Sequence, residues 1–564
     1  MKSLYLKNNT VLINFTKTYY QTVDEVISSD NFKFVLVSYV DYLHDNDIKA
    51  YRWLIKDNKE SDVVNELIKL SKLLSIIDVK DIEHPLLKDR ELMLKFIENF
   101  YNFWRKLQRC SMIHTTTKQG LQIANFIDAD TKFNQLILGL FRKIEENVQG
   151  KKNNVYRQLN AGSNASMVLR DYRWDLPKDY EPLKNIPFID SVMLRTPLLL
   201  HPASSKRTGA FNEIPDNPIK TFKGKKDEWF CYPAKVGSLL AFIYFHCDHV
   251  FSGLALANLF ELALDKECTN KKPDVIVLFG NQDNKQECSY YYDDTNDIWI
   301  GNVSYNREIE YFGYIKKMTL TLHNLAMIKK NWLPLHGSMI NITLKDGSTK
   351  GVVFIGDSGA GKSETIEAIQ NMGSEDIIST QVIFDDMGSL HLVGNEVYAQ
   401  GTEIGAFVRL DDLDKGSAYR EMDRSIFFNP ETSNARVVLP VVSYNEVVSN
   451  HKVDMFMYAN NYENHFGIRK FNDLNEAIMT FCEGKRFALG TTQEKGLSTT
   501  FFANPFGPVQ MEAECLILIK AMFKSMQDSN IFLGEVYTQL GVKEKGKDAL
   551  AQAAIQLLKE INNG

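Results

Sequence analysis

The chain has 564 residues, 44% of them hydrophobic and 24% charged, and a net charge of −6. That length predicts two or three domains, and the composition excludes a disordered, collagen-like or low-complexity chain. The weakly acidic balance excludes a dominant basic footprint for nucleic acid, and seven scattered cysteines fit reduced cytoplasmic thiols and no disulfide framework.

The N-terminal stretch from Met1 to Phe15 carries lysines but no apolar run long enough for a secretory signal. Residues 1–185 read as a mostly helical region: Leu67, Leu70, Leu73 and Leu74 recur at helical spacing between Asn65 and Ile77, and Arg90 to Leu107 repeats the habit with aromatics. The Lys, Asn, Gly and Ser-rich run from Gly150 to Ser166 reads as a linker or exposed loop. Val236 to Leu264 is the most apolar stretch. Asp248 and Glu261 interrupt it, so it falls short of the roughly 20 residues of a membrane span and predicts buried helices or a helix with a strand. His246-Cys247-Asp248-His249 crowds four ligand types together, but adjacent residues cannot all face one tetrahedral zinc.

Strand-like runs follow at Val275–Phe279, Ile298–Ile300 and Val352–Ile355, alternating with helical patterns, so the class is α/β. The regions drawn are 186–330 and 331–564, the second closing on an amphipathic helix from Asp548 to Ile561. Asp411, Asp412 and Asp414 lack the spacing of a calcium loop and read as solvated. The expectation is a cytoplasmic protein with a small-molecule substrate and neither membrane nor nucleic-acid partner.

One segment carries most of the chemistry. Gly356-Asp357-Ser358-Gly359-Ala360-Gly361-Lys362-Ser363 fits G-x-x-x-x-G-K-[ST], follows the apolar run Val352–Ile355 and leads through Glu364 into a helical pattern. Glycines let backbone N–H groups curl around phosphate oxygens, and the helix adds its positive end. Lys362 supplies charge to the β- and γ-phosphates and the Ser363 hydroxyl suits Mg²⁺. Downstream, Asp385-Asp386 follows Val382-Ile383-Phe384, which predicts carboxylates at a strand end, for a divalent metal or as a solvated turn. Upstream, His336 in Leu333-Pro334-Leu335-His336-Gly337 is a ligand or a packed residue. Lys316-Lys317, after Tyr311-Phe312-Gly313-Tyr314-Ile315, line a site or an exposed helix face.

In this order, Tyr-x-Gly-x-x-Lys-Lys, Leu-Pro-Leu-His-Gly, the phosphate loop, Asp-Asp, Val397-Tyr398-Ala399, Asn434-Ala435-Arg436-Val437 and Phe506-Gly507-Pro508, the chain resembles the phosphoenolpyruvate carboxykinase family from roughly Phe188 to Leu540. The resemblance implies that family's two-lobed core, an α/β lobe on the substrate side at 186–330 and a nucleotide-binding lobe with the phosphate loop at 331–564, preceded here by the helical region. It implies Lys317, His336 and Asp386 as ligands of Mn²⁺, with Ser363 on Mg²⁺. Lys316 and Tyr311 would line the substrate pocket, and the loop from Gly356 to Glu364 would hold ATP, with GTP or pyrophosphate as possible donors. Lys362 and Arg436 would act on the transferring phosphoryl group, Asp385 or Asp386 would be the base if the acceptor is a hydroxyl, and Arg195 in Leu194-Arg195-Thr196-Pro197 would clamp the carboxylate of oxaloacetate.

The departures from the family pattern bear on the acceptor. Leu198-Leu199-Leu200-His201 replaces the family's basic run, with Lys206 and Arg207 further on. The loop is similar to that of HPr kinase/phosphorylase, and the purine segment, Gly490 to Gly496, is short. Three readings stand: a carboxykinase, a related kinase acting on a hydroxyl of a small molecule or protein, and a non-catalytic nucleotide sensor.

Overall fold

The computed structural model describes residues 2–56, 62–116, 120–207, 210–372, 377–410, 421–432, 434–489, 495–542 and 546–563. They form mixed α/β structure in two compact units. The first comprises Met1–Asp171, Pro187–Leu198 and Cys247–Phe251; the second comprises Tyr172–Ile186, Leu199–His246 and Ser252–Gly564. Neither edge drawn from sequence, near 185 or near 330, separates these units: the first also takes Pro187–Leu198 and Cys247–Phe251, and the rest of both lobes shares the second.

In the first unit, helices α1 (Asp30–Asn46), α2 (Val63–Ile76), α3 (Arg90–Lys106) and α4 (Gly120–Gln149) accompany a sheet of β1 (Leu4–Lys7), β2 (Thr10–Asn14), β3 (Gln108–His114), β4 (Ala165–Arg170) and β5 (Phe188–Leu194). The helices start where sequence chemistry allows. Ser29 accepts from Phe32 N, and Asp89 accepts from Leu92 N, each satisfying an orphan donor of the first turn. The α2 repeat buries Leu67, Leu70 and Leu74, as its spacing requires, and leaves Leu73 exposed. The region is less purely helical than its sequence reads, because β2 and β3 are runs of five and seven residues, too short to declare themselves against the long helices. The 150–166 linker is also partly structural. Ala161, Gly162 and Ser163 are buried, and the Arg109 guanidinium donates to the carbonyls of Trp104, Leu107, Asn160 and Gly162.

The second unit carries β6 (Trp229–Val236), β7 (Leu239–His246), β8 (Val275–Asn281), β9 (Cys288–Asp293) and β10 (Ile298–Ser304), with β7, β8 and β10 parallel. Val236 to Leu264 thus contains a strand followed by a six-residue helix, Val250–Ala255. Helix α5 (Gly313–Lys329) packs against β10 and β8. An eight-stranded sheet has at its centre β11 (Leu333–Leu344) and β12 (Thr349–Ile355), which leads into α6 (Lys362–Asn371). Beside β11 lie β13 (Ile377–Val393) and β14 (Glu396–Gly401). A separate small sheet contains β15 (Gly405–Arg409), β16 (Ile426–Phe428) and β17 (Arg436–Pro440). Beyond β12 the large sheet continues through β18 (Met455–Asn460), and β19 (Lys485–Leu489) and β20 (Lys495–Thr499) form a hairpin apart from it. Helix α7 (Glu512–Asp528), strand β21 (Phe532–Tyr537) of the large sheet and helix α8 (Gly546–Asn563) complete the unit.

Strand alternation explains why this sheet is covered on both sides. Val353, Ile355, Phe456 and Tyr458 enter one apolar core with Phe523 of α7. Val352, Phe354, Met455 and Met457 enter another with Ile366 of α6 and Leu557 of α8. None of the seven cysteines forms a disulfide. Among the described residues no helix is long and apolar enough to cross a membrane.

Candidate functional site

The phosphate-loop segment sits between β12 and α6, with Gly359 at φ 79° and Gly361 at φ 102°. A Cβ on Gly361 would lie 2.7 Å from Thr538 Cβ, so conformation and space both require glycine there. Side chains from elsewhere in the unit hold the loop's carbonyls: Arg486 Nη1 on Ser358 O at 2.7 Å, Asn461 Nδ2 on Gly359 O at 2.9 Å and Thr538 Oγ1 on Ala360 O at 2.7 Å. Asp357 is buried, ion-paired with Arg486 at 2.9 Å and hydrogen-bonded by Thr500 at 3.3 Å. Lys362 is buried at the start of α6, its Nζ 2.7 Å from Gly356 O, and Glu364 lies in the first turn.

Asp385 and Asp386 do not end a strand. They lie within the seventeen-residue β13, which continues because β11 pairs with it on both sides of them. The register slips between Met339 and Ile340, leaving Ile383 out of the ladder, so a bulge lies two residues before Asp385. Successive residues of a strand face opposite ways. Asp385 accepts from Ser363 Oγ at 2.7 Å, while Asp386 turns to three basic side chains. Lys316 Nζ and Lys317 Nζ stand 2.7 and 3.0 Å from its Oδ2, and His336 Nε2 stands 3.1 Å from its Oδ1. The paired lysines are thus no exposed helix face: α5 is buried along most of its length and Lys316 is 0% exposed.

The charges of this cluster determine one another. Burial pushes the Asp386 carboxyl up, but the Lys316 and Lys317 ammonium groups outweigh it and hold it well below the usual carboxylate range. Burial depresses Lys316, yet Asp386 and Glu403 reverse that and raise it. For Lys317, burial with Lys316 alongside prevails over the pull of Asp386 and lowers the ammonium. Burial, with Lys362 adding to it, lowers His336 against the pull of Asp386. Burial lifts Glu403 to about 7 against the pull of Lys316, with Asp386 adding to the rise. Lys316 Nζ and Glu403 Oε1 are 3.1 Å apart, an ion pair that lacks hydrogen-bond alignment. Burial raises Asp385, with Asp386 adding to the rise and Ser363 opposing it.

His336 provides the test for a metal. Its Nδ1 lies 3.0 Å from the Ala503 carbonyl, which can only accept, so Nδ1 carries the proton. Nε2 then offers a lone pair toward the Asp386 carboxylate, and this buried nitrogen makes no hydrogen bond. Two lone pairs facing each other call for a cation. Donors about 3 Å apart match the edge of an octahedron with bonds of about 2.1 Å. Lys317, depressed by burial, His336 and Asp386 fit Mn²⁺, and Ser363 with Asp385 fits Mg²⁺.

Two phenylalanines wall the cluster. Lys317 Nζ lies 4.5 Å and Arg207 Cζ 5.5 Å from the Phe506 ring centre, and the His336 ring is 6.3 Å from it. Lys316 Nζ and Arg436 Cζ lie 5.6 and 5.7 Å from the Phe407 ring centre, with the Tyr311 ring at 5.9 Å. Lys316, Lys317, His336 and Asp386 are therefore in direct contact, and the 3.6 Å approach of His336 to Asp357 joins them to the phosphate loop. Tyr311 and Arg436 reach the cluster through Phe407.

Arg195 follows β5 in the first unit and pairs with the fully buried Asp130. Glu403, Phe407 and Arg486 belong to the site but follow no motif, and only their place in the fold identifies them. Of the run His246 to His249, three residues, His246, Cys247 and Asp248, bring ligand atoms within 4.8 Å of one another and His249 does not join them, so the four do not face one ion, and Asp248 is already ion-paired with Lys7. Asp411, Asp412, Asp414 and most of the purine segment, residues 490–494, lie outside the described residues. No protein-family model matches this chain, so its functional reading rests on the geometry given above.

Proposed function

We propose that this protein is a metal-dependent phosphoryl transferase of the phosphoenolpyruvate carboxykinase type, with that family's core fold. It would convert oxaloacetate and ATP to phosphoenolpyruvate, CO2 and ADP. The observation that carries this reading is the joining of Lys317, His336 and Asp386 to a phosphate loop through Asp357 and the Asp385–Ser363 pair. A nucleotide sensor needs only the loop.

In the proposed reaction the bond to the departing carboxylate breaks and its electron pair becomes an enolate. The enolate oxygen attacks the γ-phosphorus, and the bond to the bridging oxygen breaks to release ADP. Lys362 places positive charge against the phosphates, and Arg436 does so at the transferring group. Lys316, locked between Asp386 and Glu403, keeps a fixed charge at the enolate, and Phe407 and Phe506 exclude water from it. A divalent ion held by Lys317, His336 and Asp386 supplies Lewis acidity when bound.

One observation favours a second acceptor. Arg195, the expected carboxylate clamp, pairs with Asp130. A hydroxyl acceptor would need no such clamp, and Asp385, raised by burial, would take the hydroxyl proton. The test is a product assay with ATP, GTP or pyrophosphate, Mg²⁺ and Mn²⁺, with and without oxaloacetate. Phosphoenolpyruvate formed only with oxaloacetate supports the first reading, and donor turnover with hydroxyl acceptors alone supports the second. No turnover under any of these conditions sinks both.

A further inference from the structure

In the first unit, an open groove of about 1000 Å³ lies between the β1–β2 turn and helices α1 and α3. Rings in mutual contact line it. Tyr39 and Tyr42 of α1 stack at 6.3 Å, and Phe103 of α3 lies 5.2 and 5.3 Å from them. Tyr42 is 46% exposed, so the groove presents aromatic surface. Tyr39 is only 1% exposed, its ring held by Phe96 and Phe100 at 5.5 and 5.1 Å. Its hydroxyl makes no hydrogen bond among the described residues and is not sealed in, so the little of Tyr39 that is exposed opens on the groove. A phenol held there without a partner is a polar group waiting for one.

The charges of the wall select no ion. Asp41, Asp45 and Asp47 nearly balance Lys7 and Lys106, and most of them are engaged elsewhere. Lys7 pairs with Asp248 at 2.9 Å, Asp45 with His44 at 2.8 Å, and Asp47 accepts from Ala50 N at 3.1 Å. The side-chain amides of Asn8, Asn99 and Asn102, by contrast, make no hydrogen bond among the described residues, and each can both donate and accept. Neutral donors and acceptors beside aromatic surface match a neutral ligand with hydroxyls along its edge and an apolar face. In a pyranose the ring C–H bonds carry partial positive charge from the neighbouring oxygens, and the face of an aromatic ring is negative. We propose that this groove is a saccharide-binding site, with Tyr42 and Phe103 against the sugar face and Asn8, Asn99, Asn102 and Tyr39 on its hydroxyls. The site lies wholly within the first unit and does not depend on the phosphoryl-transfer reading.

Saturation-transfer NMR on the full-length chain, with maltotriose, cellotriose, chitotriose and mannotriose as probes and spermidine as a cationic control, tests this. At least one trisaccharide should bind, with the strongest transfer to its ring C–H protons, and more tightly than spermidine. Tyr39→Phe and Asn102→Ala should each weaken that binding about fivefold, the effect of one net hydrogen bond. Tyr39→Phe keeps the ring and removes a hydroxyl without a partner, so it should not lower the melting temperature. Tyr42→Ala, which removes exposed aromatic surface, should weaken binding about tenfold. If that variant loses its far-UV circular dichroism, Tyr39→Phe and Asn102→Ala decide. No binding by any of the trisaccharides, spermidine bound more tightly than all of them, or saccharide affinity unchanged by Tyr39→Phe and Asn102→Ala overturns the proposal.

Discussion

Lys362 and Arg195 are both buried or half-buried cations, yet their neighbours assign them different work. Among the described residues Lys362 Nζ bonds only loop carbonyls, Gly356 O at 2.7 Å and Asp357 O at 3.5 Å, and pairs with no carboxylate. Its charge is available to a phosphate. Lys362→Ala should slow phosphoryl transfer by roughly a hundredfold or more while circular dichroism stays unchanged, and near-normal turnover would remove the loop from the donor site. Arg195 instead compensates Asp130, which also accepts from Ser111 and Ser163. Removing one partner of a buried ion pair costs about 3–5 kcal/mol. Arg195→Ala should therefore lower the urea midpoint of the first unit by a cost of that order. An unmoved midpoint together with a raised KM for oxaloacetate would return the arginine to the substrate. His336→Ala should weaken activation by Mn²⁺ and leave Mg²⁺-nucleotide affinity intact, since Ser363 and Asp385 are untouched; titration of activity against each metal reads the split.

At the scale of elements, the legible features were those determined by neighbours in sequence. The strand, glycine loop and helix from Val352 to Asn371 could be read because each part follows the last within a few residues. The α2 and α3 patterns could be read because their apolar spacing repeats over several turns. What depended on pairing across the sheet stayed hidden. Asp385 and Asp386 looked like a strand end because two adjacent carboxylates suit a turn, and only the ladder with β11 carries β13 past them. Lys316-Lys317 reads equally as a site or an exposed helix face because nothing local announces Asp386, seventy and sixty-nine residues away, or Glu403. The sharpest element-scale test is Gly361→Ala. Its φ of 102° and the 2.7 Å approach of Thr538 leave a side chain neither conformation nor room. A strained position of this kind costs about 1–3 kcal/mol. The variant should lose nucleotide affinity as well as stability, measured by equilibrium binding and urea unfolding, and wild-type affinity would show that the loop is not shaped for phosphate.

For the whole molecule, pH reports how buried ionisable groups of the second unit balance. His323 in α5 is 1% exposed and hydrogen-bonded to Asn324 Oδ1 at 3.0 Å; burial lowers it from 6.5 to about 4. The unfolded chain therefore binds the imidazole proton more readily. This contribution is fully present above pH 6.5 and is lost as pH falls toward 4, on the order of 3 kcal/mol in all. His336, also lowered by burial, acts in the same direction. Glu403 acts oppositely. With its carboxyl raised from 4.5 to about 7, the folded state holds the proton more tightly, so stability falls as pH rises through that window. Without metal, the urea midpoint of the second unit should accordingly change little between pH 4.5 and 6.5. His323→Gln weakens the side of the balance it shares with His336, so its midpoint should fall as pH rises. Glu403→Gln removes the other, and its midpoint should climb with pH. Parallel pH profiles for the two variants would show that these buried groups do not set the unit's acid response.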